Sequence, residues 1–149
     1  MDIKIREIIS DDYAEVVSLW NDVLEIHNVD DANFRVTMEE MNKAGNYKTF
    51  VAMIENDVVG FVTIVQALSV GVPIGYLHIQ ALAVKRELQH RGIGTKLLRQ
   101  TENYAKERGI SSIILCSGMK RTNAHTFYEH NGYDRDSYCF DKRIDLTQG

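Results

Sequence analysis

The chain has 149 residues, 44% hydrophobic and 26% charged, with a formal net charge of −4; that predicts one domain with a single substantial core. No apolar run approaches the roughly 18 residues that a membrane span needs, and no basic stripe interleaved with aromatics points to nucleic acid, so neither partner is expected. Two cysteines, Cys116 and Cys139, are too few for a disulfide framework, and no Cys/His cluster has metal-ligand spacing, so no metal is expected.

Met1-Asp2-Ile3-Lys4-Ile5 opens an alternating run over 2–9 that predicts a first strand. It has no signal-peptide layout, so the expectation is a cytoplasmic protein with both thiols reduced. Ser10 then offers a helix N-cap, with Asp11 and Asp12 in the first turn. Tyr13, Val16, Val17, Trp20, Val23, Leu24 and His27 follow at helical spacing. Thr37-x-x-Glu40 reads as a capping box opening a second helix that ends at Gly45.

Tyr47 to Glu55 and Val58 to Leu68 predict a hairpin about Asn56 and Asp57. Ser69 to Pro73, with the one proline of the chain, breaks the run before a strand over Ile74 to Val84. Ile93 to Arg108 reads as a helix packing through Ile93, Leu97, Leu98, Thr101, Tyr104 and Ala105, with Gly109 beyond its end. Ile113 to Ser117 predicts a short buried strand, Thr122 to His130 a helix stopped by Gly132, and Tyr138 to Ile144 a strand that closes the sheet.

Charge is distributed unevenly. Residues 1–40 hold 11 acidic and 3 basic side chains, a balance of −8, whereas residues 41–149 hold 10 acidic and 14 basic, a balance of +4. These are either solvated faces or an acidic part that attracts a cationic amine beside a basic part that holds an anion.

The segment Gln89-His90-Arg91-Gly92-Ile93-Gly94-Thr95-Lys96 lies between a predicted strand and a predicted helix. The first turn of a helix leaves N–H groups unpaired and carries partial positive charge, which suits a phosphate. Glycines allow close backbone approach, and Arg91 and Lys96 add formal charge. The spacing is neither that of a Walker loop nor that of a dinucleotide fingerprint. About thirty residues later comes Arg121-Thr122-Asn123-Ala124-His125-Thr126-Phe127-Tyr128-Glu129-His130-Asn131-Gly132-Tyr133.

With both segments present, and in that order, the chain resembles the GNAT superfamily of acyl-CoA-dependent N-acetyltransferases. Gln89, Gly92 and Gly94 match that superfamily's pyrophosphate loop, and Asn123, Ala124, Phe127, Tyr128, Gly132 and Tyr133 match its later segment. The resemblance covers roughly residues 47–144. It implies one mixed α/β (α+β) domain over 1–149, with a mostly antiparallel central sheet splayed between strands 4 and 5 and helices on both faces.

It also implies acetyl-CoA as co-substrate, held by Gln89, His90, Arg91, Gly92, Ile93, Gly94, Thr95 and Lys96, with the pantetheine arm along the edge of Leu82, Ala83 and Val84. Tyr128 matches the tyrosine that protonates the leaving thiolate; read without the surrounding motif, it is more readily a core aromatic beside Phe127. Asn123 either holds the cofactor or caps its helix. The strand positions where many relatives carry a basic glutamate hold His78 and Gln80 here. His78 can act as a base or serve as a structural histidine, and alternation would put it on the face of Gln80. A second base position of the family falls on Cys116, which as an acyl carrier is the lesser reading. His125 and His130 read as helix support and a C-terminal cation.

The expected acceptor is a small-molecule amine or a peptide amine, and a homodimer is the default assembly. Two other readings stay open: a non-catalytic acyl-CoA sensor, and acetylation of a protein N-terminus or lysine.

Overall fold

The computed structural model describes residues 1–24 and 28–147. They fall into two compact units, Met1–Leu115 and the chain from Cys116 onward. In order, the elements are β1 (Ile3–Glu7), α1 (Tyr13–Leu19), α2 (Asp31–Ala44), β2 (Tyr47–Ile54), β3 (Asp57–Ser69), β4 (Val72–Val84), α3 (Ile93–Glu107), β5 (Ile113–Leu115) and α4 (Thr122–His130).

The first unit is built on a five-stranded sheet in the order β1-β2-β3-β4-β5. The first three pairings are antiparallel, and β4 with β5 is parallel. β2 and β3 are buried almost throughout because helices cover both faces of the sheet. On one face, Val16 and Leu19 of α1, with Leu24 beyond it, join Val51, Met53, Val58, Phe61, Ala81 and Ala83, and Trp20 stacks on Phe61. On the other face α3 buries Ile93, Leu97, Leu98, Thr101, Tyr104 and Ala105, and Tyr104 meets Phe50 edge-on with ring centroids 5.9 Å apart. A Cβ at Gly60 would stand 3.0 Å from Ala83 O and 3.3 Å from a Leu97 methyl. Glycine there lets the start of α3 settle onto the sheet.

Several local expectations are corrected. Ser10 makes no cap hydrogen bond. Instead the buried Asp12 accepts the Ile9 N–H at 2.9 Å and takes both Arg6 guanidinium nitrogens, at 2.7 and 2.9 Å. The helix read through Leu24 becomes α1 followed by a wider π-helical turn over Trp20–Leu24; His27 lies outside the described residues. α2 starts at Asp31, six residues before the Thr37 box, because Asp30 accepts the Asn33 N–H at 2.7 Å and the Asn33 side-chain amide at 2.9 Å. Its end at Gly45, with φ 80°, is as expected.

The Ser69–Pro73 break shrinks to a turn at Val70 and Gly71, and Pro73 enters β4. An irregularity opposite Ala67–Ser69 accommodates it: Ile74 and Gly75 take φ values of 67° and 80°. A Cβ at Gly75 would meet Ala67 O at 1.9 Å, so no other residue fits there. β5 is three residues long and only partly covered. Among the described residues no strand forms over 138–144. Tyr138, Phe140 and Ile144 are 83%, 91% and 69% exposed, so their alternation has neither a ladder nor a covering face.

Candidate acyl-donor site and catalytic segment

The free edge of β4 and the loop after it are one continuous feature of the first unit. β3 pairs with Leu82, Ala83 and Val84 along one side. On the other side β5 reaches only Leu77, His78 and Ile79. Among the described residues, no strand therefore pairs with Gln80 to Val84 on that side, and the edge presents backbone groups that an extended ligand can meet.

A bulge sits within this strand. Thr63 faces Ala81 and Ile64 faces Ile79, which leaves Gln80 as the inserted, exposed residue. The register pairs His78 with Val65, on the face of Thr63 and Ala81, because cross-strand partners share a face, and it gives Gln80 no cross-strand partner. Its half-buried ring makes no side-chain hydrogen bond to a described residue. Gln80 had no sequence signal as a bulge: Leu77, Ile79, Ala81 and Ala83 are all buried and read as one uninterrupted alternation.

Past Val84, the Lys85 N–H donates to Val59 O at 2.9 Å. The Gln89 side-chain amide turns back to Val84 O at 3.1 Å, so Gln89 braces the base of the loop. His90 and Gly92 take φ values of 64° and 85° on either side of Arg91, a left-handed alternation that gathers successive N–H groups into a concave nest. α3 begins at Ile93, and its first bond runs from the Lys96 N–H to Gly92 O at 3.1 Å. The N–H groups of Ile93, Gly94 and Thr95 precede that bond and stay unpaired, as at any helix start. The Ile93 side chain is fully buried and fixes the helix start, so only its backbone is offered. Arg91 and Lys96 are exposed beside the nest. At Gly92 a Cβ would meet no protein atom within 4 Å, so among the chain's own contacts it is the backbone angle that calls for glycine.

The second unit holds the other motif. Tyr128 lies on α4, with its ring edge-on to Phe127 at 5.1 Å and to Tyr133 at 5.8 Å. Burial raises its phenol pKa above the ordinary value, and the Arg121 charge opposes that shift, so the hydroxyl is a proton donor throughout the neutral range. It makes no hydrogen bond to a described residue. Asn123 is exposed and α4 has no side-chain cap, which removes the capping alternative. His125 Nε2 lies 2.8 Å from Gly118 O, tying α4 to the preceding loop, as expected for helix support. His130 stands in the last turn.

The residues match the model of the acetyltransferase (GNAT) family over 5–133. The chain is 33% identical over 66 residues, 44% of its length, to the aminoalkylphosphonate N-acetyltransferase of Salmonella typhimurium (strain LT2), of which the match covers 43%. Less than half of each curated relative's length is matched. In fold it resembles a transcriptional regulator from Bacillus halodurans C-125, with a TM-score of 0.86 at 21% identity over 96% of this chain and 100% of that one. It also resembles AAC(6')-Iy in complex with the bisubstrate analog CoA-S-monomethyl-acetylneamine, with a TM-score of 0.83 at 16% identity over 98% and 100%. The mixed sheet with helices on both faces and the family match agree, and the chain belongs to the acetyltransferase (GNAT) family.

Proposed function

We propose that the chain transfers an acetyl group from acetyl-CoA to a primary amine by direct attack in a ternary complex, with residues 1–149 acting as one N-acetyltransferase domain. The observation that carries this reading is the run of unpaired N–H groups at the start of α3, bent by His90 and Gly92 and flanked by Arg91 and Lys96. That chemistry fits a pyrophosphate, and the free edge of β4 beside it fits an amide-bearing arm. Family membership supports the same reading, as does the bisubstrate analog bound to a protein of this fold.

In this reading Gln89–Lys96 bind the pyrophosphate, and Leu82, Ala83 and Val84 pair with the pantetheine. Asn123 adds a polar contact to the cofactor. The amine nitrogen attacks the thioester carbonyl, and a backbone N–H on the free edge of β4 receives the developing oxyanion. The C–S bond breaks and the departing thiolate takes its proton from the Tyr128 hydroxyl. The proton lost by the amine goes to His78 or to water. No covalent acyl-enzyme is needed.

The acceptor is a small-molecule amine of cationic character. The −8 balance of residues 1–40 supports the cationic character, and the aminoalkylphosphonate named for the Salmonella relative supports a small molecule that bears an amine. A cytoplasmic location follows from dependence on acetyl-CoA, and a homodimer is the default assembly. A non-catalytic acyl-CoA sensor is the second reading, favoured by Gln80, which cannot act as a base on the exposed bulge.

Incubation of the protein with acetyl-CoA and a panel of polyamines, aminoglycosides, aminophosphonates and peptides, read by mass spectrometry, tests the proposal. An acetylated amine that depends on the protein supports it. Tight acetyl-CoA binding with no acetylated product from any amine would move the assignment to the sensor.

A further inference from the structure

On the α1 side of the sheet, burial is complete at one end only. Val51, Phe61 and Ala83 belong to the core cluster with α1 and are at most 2% exposed. Further along the same face, Tyr47, Val65, His78 and Ile114 stand opposite one another on β2, β3, β4 and β5. Beside them Tyr76 faces Ala67. Cross-strand partners share a face, so these side chains line one surface of the first unit. Val65 is buried, but Tyr47, Ala67, Tyr76 and His78 are only half-buried and Ile114 is 43% exposed. Strands lie about 4.8 Å apart and rise about 3.3 Å per residue, so Tyr47 stands about 10 Å from His78 across the sheet and Tyr76 about 7 Å from it along β4. None of these positions carries an Asp, Glu, Lys or Arg.

We propose that Tyr47 and Tyr76 are specificity-determining residues, which hold the second, non-reacting ammonium of a linear diamine while its neutral nitrogen attacks the thioester. This inference rests on the acetyl-transfer reading, which gives the free edge of β4 from Leu82 to Val84 to the pantetheine arm. The tyrosine surface lies along β4 on the other side of Gln80 from that edge. An acceptor whose reacting nitrogen meets the thioester at the edge therefore extends its far end over His78 and Tyr76. Tyrosine rings attract a cation through their faces, and their hydroxyl oxygens accept its N–H groups. The surface has no Lys or Arg to repel an ammonium, and none to meet an anionic tail. The acidic balance of residues 1–40 favours the same sign of ligand.

Two product analogues isolate the second charge. N-acetylputrescine keeps only the far ammonium, and N-butylacetamide has the same chain without it. Each is titrated into the full chain with CoA present and followed by NMR chemical shifts. The native protein should bind N-acetylputrescine about 3- to 30-fold more tightly than N-butylacetamide. That preference should collapse in Tyr47→Leu and Tyr76→Leu and survive in Tyr76→Phe, which keeps the ring. In the transfer assay the leucine variants should raise KM for putrescine by a similar factor and change kcat far less. Equal binding of the two amides by the native protein, a comparison that needs no variant, would overturn the proposal. A preference that persists in both folded leucine variants would do the same. The expected binding preference with no acetylation of putrescine would support the tyrosine surface and remove the transfer reaction. Acetylation of putrescine without that preference would leave the transfer reaction standing and overturn the surface.

Discussion

Replacing Gly92 with alanine isolates the backbone contribution to the anion nest. Gly92 has φ 85°, and a Cβ there would meet nothing within 4 Å, so the substitution introduces conformational strain with no steric clash. Holding an alanine in the left-handed region costs about 1–2 kcal/mol. That cost has two outlets. If the loop keeps its shape, the folded state loses about that much stability, a fall in Tm of roughly 2–8 °C for a chain this size. If the loop relaxes instead, the N–H groups of Ile93, Gly94 and Thr95 lose their common focus, and the free energy reappears in ligand binding. Acetyl-CoA affinity then weakens by about 5- to 30-fold. Calorimetric titration of acetyl-CoA, run beside thermal unfolding of the unliganded protein, measures both outlets, and together they should account for about 1–2 kcal/mol. Gly92→Asn is the control, because asparagine tolerates this region better and should recover much of the loss. Alanine at 92 with unchanged affinity and unchanged Tm would refute the argument that the angle builds the site.

Two further predictions concern the scaffold. Gly75→Ala forces a Cβ against Ala67 O and adds left-handed strain; it should cost about 2–5 kcal/mol in urea unfolding, and a loss under 1 kcal/mol would mean the irregularity in β4 rearranges freely. Arg6 hydrogen-bonds Asp12 and holds its carboxyl below the usual carboxylate range. A depressed folded pKa contributes stability that is present above the unfolded value, near 3.9, and is lost as pH falls through the folded one. Asp12→Asn should therefore lower stability at neutral pH and flatten its decline below about pH 4; an acid limb identical to that of the native protein would remove Asp12 from the account.

The elements that position the site were legible because their signals are local. Gln89–Lys96 shows its glycines and charges within eight residues, and the periodicity of α3 and the stop at Gly132 need no distant partner. What escaped depends on contacts across the fold. Thr37-x-x-Glu40 and Asp30 both had cap chemistry, and only Asp30 meets the chain at a helix start. Ser10 and Asp12 competed similarly, and the Arg6 pairing decided for Asp12. The Gln80 bulge left no trace in the sequence, because Ile79 and Ala81 are apolar on whichever face they lie. Pro73 reads as a breaker, yet an irregular strand end tolerates it. The stretch from Tyr138 to Ile144 had a strand's pattern without the paired edge that makes a strand.

The central claim is amine-dependent acetyl transfer with Tyr128 as the proton donor. Free-thiol release from acetyl-CoA, followed with and without each amine for the native protein and Tyr128→Phe, tests it most directly. The account predicts release that requires an amine and a kcat about 10- to 10⁴-fold lower in the variant, with acetyl-CoA affinity close to native. Release indifferent to amines, or a variant as fast as the native protein, would contradict it.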